Sequence, residues 1–369
     1  MSEQSTPALV DWDLAASTAA RLAPAGPRLA PAEIAVAVED IRAKAEASVD
    51  LVHRITGLEA ARDLRDSQIL VVDRAGWAKA NTQGFSVMMD PALRALKERL
   101  AQGMSPAGAR VSSAVAGAQM GSILAFLSSK VLGQYEPFSG YRTGGPGAGS
   151  AGRLLLVAPN IVEVERQLNV EPDDFRLWVC LHEQTHRVQF AAAPWLGDHM
   201  MAQIEQLSGS FVENAGSFLE RATRAVVSLR EGKSEEGASG SLMELLQSPE
   251  QKAIMSGLTG IMSLLEGHAN VVMDAVDASV VPSVKTIRQR FSSRGKDRGV
   301  LEKFFRRLLG LDAKMRQYTD GARFVRAVVD EVGMEGFNQV WERAGNLPTE
   351  EEIHDPQAWL RRMGFPGAA

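Results

Sequence analysis

The sequence predicts a mainly α single domain with one small β element beside a well-bounded helix. Three observations carry this. Apolar residues recur at three- and four-residue steps along most of the chain. One short continuous apolar run, RLLLVA at 153–158, reads as a buried strand. No internal repeat or low-complexity linker divides the 369 residues, so one domain spanning 1–369 is expected.

The elements follow in order. Pro31 opens a helix over 31–56, continued by Ile34, Val38, Ile41, Ala45 and Val49. Pro91 opens a second through Leu93, Leu96 and Leu100, and a third covers 107–133. The third holds the longest apolar run, in which Gly117 and Gly121 have the small-xxx-small spacing of membrane helix pairs. A span needs about 20 strongly apolar residues. This stretch is rich in Ala, Gly and Ser, and reads as a tightly packed helix with no membrane span. Six glycines and two prolines make 137–152 a flexible loop, with a flap over a cleft as the functional alternative. The strand at 153–158 is closed by Pro159, and a short helix covers 160–169. Pro172, Asp173 and Asp174 open a long helix ended by Pro194, its first-turn acids suiting the positive end of the helix dipole. Further helices are expected at 199–229, 241–248, 251–280, 299–317, 321–332 and 335–343, with a flexible polar connection at 231–241 and fraying beyond 364.

Composition narrows the function. The formal charge of −5 does not suit a nucleic-acid partner, because no excess of Lys and Arg is available to neutralise phosphates. Cys180 is the single cysteine, so no intrachain disulfide forms. The N-terminal residues lack the basic start and apolar core of a signal peptide, and a cytoplasmic location is the expectation.

The chemistry lies in His182-Glu183-Gln184-Thr185-His186, an H-E-x-x-H motif of zincin type on the helix that starts at Pro172. Four residues turn a helix by about 400°, so the two imidazoles point about 40° apart and reach one metal ion. Glu183, about 100° round from His182, flanks the site as a base for an attacking water. Val179, Cys180, Leu181 and Val188 supply an uncharged or apolar setting, whereas Arg187 is a charge where such helices carry an uncharged residue. A third ligand is needed. The metzincin position holds Ala192, which leaves His199, Glu266 and His268 as candidates. Asn270 and Asp274 follow Glu266 at four-residue steps on one helix face. Cys180 points away from His182 and reads as a small buried residue. Residues 285–307 hold nine basic and two acidic side chains, read as a solvated face with an anion site as the alternative. Tyr318 is a candidate for stabilising an oxyanion.

Several segments carry a family resemblance over nearly the whole chain: VDWDLA (10–15), VVDRAGWAKAN (71–81), GAQMG (117–121), VLGQY (131–135), LLLVAPNI (154–161), DDFRLWVCLHEQTHRVQFAAAPWL (173–196), LLEGHANVVMD (264–274) and LLGLDAKMRQYTDG (308–321). With them the chain resembles the actinobacterial zincin-like metallopeptidase-related proteins, labelled hydrolases or deazaflavin-coenzyme-biosynthesis-associated proteins. The resemblance implies a zincin-like helical domain, His182 and His186 as ligands, Glu183 as base, and by analogy with glutamate zincins Glu266 as third ligand. Asn270 favours Glu266 over His268, since it stands where it can hydrogen-bond a ligating histidine or orient the carboxylate. The reading is a zinc-dependent hydrolase, foremost a metallopeptidase acting on peptide or protein, with the 154–157 strand offered as an exposed edge for an extended substrate. The alternative is a metal-stabilised interaction or regulatory protein without turnover, and a non-peptide amidohydrolase shares the same zinc chemistry.

Overall fold

A computed structural model describes residues 8–64, 67–100, 106–138, 152–213, 248–294 and 311–365. The first elements are α1 (Trp12–Leu22), α2 (Pro31–Thr56), β1 (Gln68–Val72), α3 (Arg74–Leu100), α4 (Pro106–Ser128), β2 (Gly133–Glu136) and β3 (Arg153–Val157). They continue with α5 (Ala158–Leu168), α6 (Pro172–Ala192), α7 (Leu196–Glu213), α8 (Pro249–Ala275), α9 (Val284–Arg294), α10 (Leu311–Asn338), α11 (Glu350–His354) and α12 (Pro356–Arg362). The fold is mainly helical, with one three-stranded mixed sheet.

β3 is the middle strand, parallel to β1 and antiparallel to β2. Leu154, Leu155, Leu156 and Val157 are wholly buried, because a central strand covered on both faces needs a continuous apolar run. The 154–157 strand is therefore not an edge, and the sheet edge beside the long helix belongs to β2. Pro91 lies inside α3 rather than at its start. The turns before it already bury Trp77, Ala78 and Ala80, and that burial outweighs the roughly 3 kcal/mol that an interior proline costs. Gly333, at φ +72°, separates two helical runs within α10, close to the expected break.

The α6 helix runs through the core with α2 along one side. Gln184 donates from Nε2 to the Ala45 carbonyl (2.6 Å), and the buried Cys180 lies against Ile41. An ion network ties the elements at its start. Lys44 bridges Asp40 (2.8 Å) and Asp173 (2.5 Å), and Arg176 bridges Asp40 (3.0 Å) and Glu165 (2.8 Å). α4 crosses α1 closely, since Gly117 and Gly121 press against the backbone at Asp11 and Ala15 and leave no room for a Cβ. By length and composition alone, residues 107–128 of α4 are long and apolar enough to cross a membrane, with 33% of the most apolar window buried in the fold. The loop residues 139–151 and the connection at 231–241 lie outside the described residues, as do 366–369.

Candidate metal centre

Two helices bring three donor atoms together. His182 and His186 lie one turn apart on α6, and their Nε2 atoms are 3.3 Å from each other. Glu266 comes from the middle of α8, with Oε2 3.7 Å from His182 Nε2 and 3.9 Å from His186 Nε2. A tetrahedral shell with bonds of about 2.0–2.1 Å has donor–donor edges of about 3.4 Å, so this triangle fits one metal ion after small rotamer changes. Among the described residues, these three form the group of His, Cys, Asp and Glu side chains able to hold a metal. Burial, and then His186, push the His182 imidazole down to about pKa 4, which keeps its lone pair available.

The trio forms part of the wall of a cavity of about 520 Å³. Glu183 shares that wall, only 7% exposed, and burial, then Glu266, raise its carboxyl to about pKa 8. Gly133 on β2 lies directly against it: a Cβ there would sit 2.5 Å from Glu183 Cγ. Only a glycine lets the strand approach the carboxylate so closely.

Among the described residues no strand pairs with the outer edge of β2, beside this carboxylate. Val157 donates to the Leu132 carbonyl, which makes that pair hydrogen-bonded in the β2–β3 ladder. Antiparallel pairing alternates, so Gln134 and Glu136 face β3 while the main-chain groups of Gly133 and Tyr135 face outward. Tyr135 itself packs on Phe190 of α6, with ring centroids 5.2 Å apart.

A family model described as zincin-like metallopeptidase matches residues 10–360. This chain belongs to that family. It is also similar to a crystal structure from Chloroflexus aurantiacus described as a hydrolase candidate with a novel fold. The two are 32% identical, with a TM-score of 0.62, over 97% of this chain and 100% of the other. No functionally curated protein matches the chain.

Behind the zincin histidines stands Gln189, which sequence reasoning overlooked. Its Nε2 lies 2.9 Å from the Leu265 carbonyl, which can only accept, so the amide nitrogen faces α8. The oxygen therefore faces His186 Nδ1 at 2.9 Å and accepts a hydrogen bond from its N–H. That tautomer leaves His186 Nε2 bare for a metal. The same amide nitrogen lies 3.0 Å from His268 Nδ1. The signal was present in the sequence, because Gln189 follows His186 by three positions on the same helix face.

The remaining candidates are placed elsewhere. His268 is fully buried between Phe337 and Trp341, on the far side of Gln189 from the trio, and burial pushes its pKa down to about 3. His199 pairs with Gln203 (2.9 Å) beside Trp195 and takes no part in the trio. Asn270, a turn beyond Glu266, is half-buried and makes none of the hydrogen bonds to His182, His186 or Glu266. Tyr318 falls within α10, its side chain outside the described residues. Arg187, the odd charge of the motif, is buried and donates to Ser67 Oγ (2.5 Å) and to the Leu64 and Ser67 carbonyls (both 2.6 Å), anchoring α6 to the segment before β1. In the basic segment, Arg288 donates to the Met273 and Val276 carbonyls at the end of α8, and Arg290 to Leu168 and Asn169 at the end of α5.

Proposed function

We propose that this chain is a zinc-dependent hydrolase of peptide bonds. The observation that carries the reading is one cavity wall that unites the His182–His186–Glu266 trio, Glu183 and the outer edge of β2. The two imidazoles and the carboxylate are the nitrogen and oxygen donors zinc takes, and three protein ligands are the number found in catalytic sites. Zinc bound there supplies Lewis acidity toward a carbonyl and acidifies water.

Each further role belongs to a residue of the chain. An extended peptide pairs with the outward groups of Gly133 and Tyr135, as a strand added to a sheet edge. That register sets the scissile carbonyl beside Glu183, because Gly133 touches this side chain. Glu183 takes the proton of the attacking water and passes it to the leaving amine. Gln189 holds His186 in the metal-binding tautomer.

A closed scaffold site would show a fourth protein donor, whereas three converge among the described residues, at a cavity wall. The test is metal analysis of the purified protein together with cleavage of a broad peptide library, with and without chelator. The reading requires about one zinc per chain, cleavage abolished by chelation and restored by zinc, and a Glu183→Gln protein that keeps zinc but cleaves at least about 100-fold more slowly. Cleavage that persists in zinc-free protein, or a zinc-loaded protein inert to every peptide, refutes it.

A further inference from the structure

We infer that the cavity beside the trio is a specificity pocket for a bulky uncharged apolar side chain of a substrate cut internally, away from its C-terminus. The inference rests on the peptide-hydrolase reading and adds to it the class of substrate.

Size and lining come first. About 520 Å³ is ample for a large side chain and adjoining backbone, and lies within the range of small-molecule sites. Trp77, Phe85 and Met88 come from α3, Leu127 from the end of α4, Met200 from α7 and Met262 from α8. The three methionines let the wall adapt to aromatic or branched side chains alike.

Charge then narrows the choice. Among the described residues the lining contains no Lys or Arg, and three carboxylates, Glu136, Glu183 and Glu266, border it. Arg153, which touches the lining carboxylate of Glu136, is already committed to Glu136 (3.0 Å), Gln83 (2.9 Å) and the Ala80 carbonyl (3.3 Å). An acidic side chain, or the free carboxylate of a substrate cut near its C-terminus, would find no cationic side chain among the described lining residues. From the basic segment, Arg288 and Arg290 cap helix ends and are absent from the described wall.

Neutral polar side chains fare little better. Gln134 donates to Asn81 Oδ1 (3.1 Å), Asn81 donates to the Trp77 carbonyl (3.0 Å), and Glu136 also accepts from the Phe138 amide (2.8 Å). These groups satisfy one another, so a polar substrate group gives up water and gains few partners, while an apolar one gains burial.

The test uses the full-length zinc-loaded protein and peptide hydroxamates identical except for one side chain: Phe, Leu, Ala, Lys or Glu. Zinc content and binding constants are measured on the same samples. Phe and Leu should bind at least about 10-fold more tightly than Ala and about 100-fold more tightly than Glu. Equal affinity across the series, or preference for Glu or Lys, with zinc bound, overturns the pocket and leaves the hydrolase reading standing. A zinc-loaded protein that binds none of the series removes both. A second arm places a cation in the wall with Met88→Arg. With zinc content unchanged, it should narrow the Phe-over-Glu ratio by at least about 10-fold. An unchanged ratio in a zinc-loaded variant argues against the pocket, and the wild-type series decides the matter if the variant does not fold.

Discussion

Replacing Gln189 by leucine removes an acceptor from His186 Nδ1 and a donor from both the Leu265 carbonyl and His268 Nδ1. Leucine fills most of the volume, so the change is chiefly one of hydrogen bonding. Two costs separate. Without the acceptor, the His186 ring loses its fixed tautomer and orientation, which lowers metal affinity by about 10–100-fold, or about 1.4–2.7 kcal/mol. The Leu265 carbonyl keeps its helical partner, so its lost bond costs about 0.5–1.5 kcal/mol, and His268 Nδ1, left without its donor, costs about 1–3 kcal/mol. Together they are a measurable share of the 5–15 kcal/mol that a domain of ordinary stability holds. Zinc affinity by competition with a chromophoric chelator reads the first cost, and urea denaturation of the metal-free protein reads the second. Gln189→Glu separates them further, since it keeps an oxygen facing His186 and loses the donor to α8. It should be destabilised while holding zinc near wild-type affinity. If Gln189→Leu loses stability but binds zinc as the native protein does, Gln189 is a packing residue and its role toward His186 is wrong.

Three other outcomes are expected. Gly133→Ala forces β2 away from Glu183, and a displacement of about 1 Å should slow cleavage about 100-fold with zinc retained; native activity in that variant would detach β2 from the site. Glu266→Ala should lose zinc by several orders of magnitude, whereas His199→Ala should hold it near wild type, both measured by equilibrium dialysis, and the reverse order would move the third ligand. For Asp40, burial alone would raise the pKa, but the hydrogen bonds from Lys44 and Arg176 outweigh it and hold the group below 3.8. A depressed folded value means a contribution fully present above the unfolded pKa and lost as pH falls through the folded one. Asp40→Asn should therefore cost about 1–2 kcal/mol near neutrality, and the gap to wild type should close only below about pH 4 in pH-resolved denaturation; a gap that closes between pH 5 and 7 contradicts this.

The sequence by itself determined what depends on near neighbours along the chain. The bounds of α2 and α6, the buried run of β3 and the pairing of His182 with His186 follow from periodicity, helix-start residues and a four-residue spacing, all set by local backbone geometry. Glu266 was reached partly through the resemblance and partly through Asn270 one turn on, and the fold brings it to the two histidines. Tertiary structure alone decided the rest. β1 and β2 are only five and four residues long, too short for a distinctive pattern, and they exist through pairing with β3. Which strand is the edge was fixed by that pairing, and with it the approach of Gly133 to Glu183. Pro91 stayed helical because its neighbours bury apolar surface. Gln189 was visible as a residue three positions beyond His186, but its role depends on Leu265 and His268, which stand 76 and 79 positions away. Such contacts form only once loop closure has joined distant segments, and no local pattern encodes which buried acceptor a side-chain amide will meet.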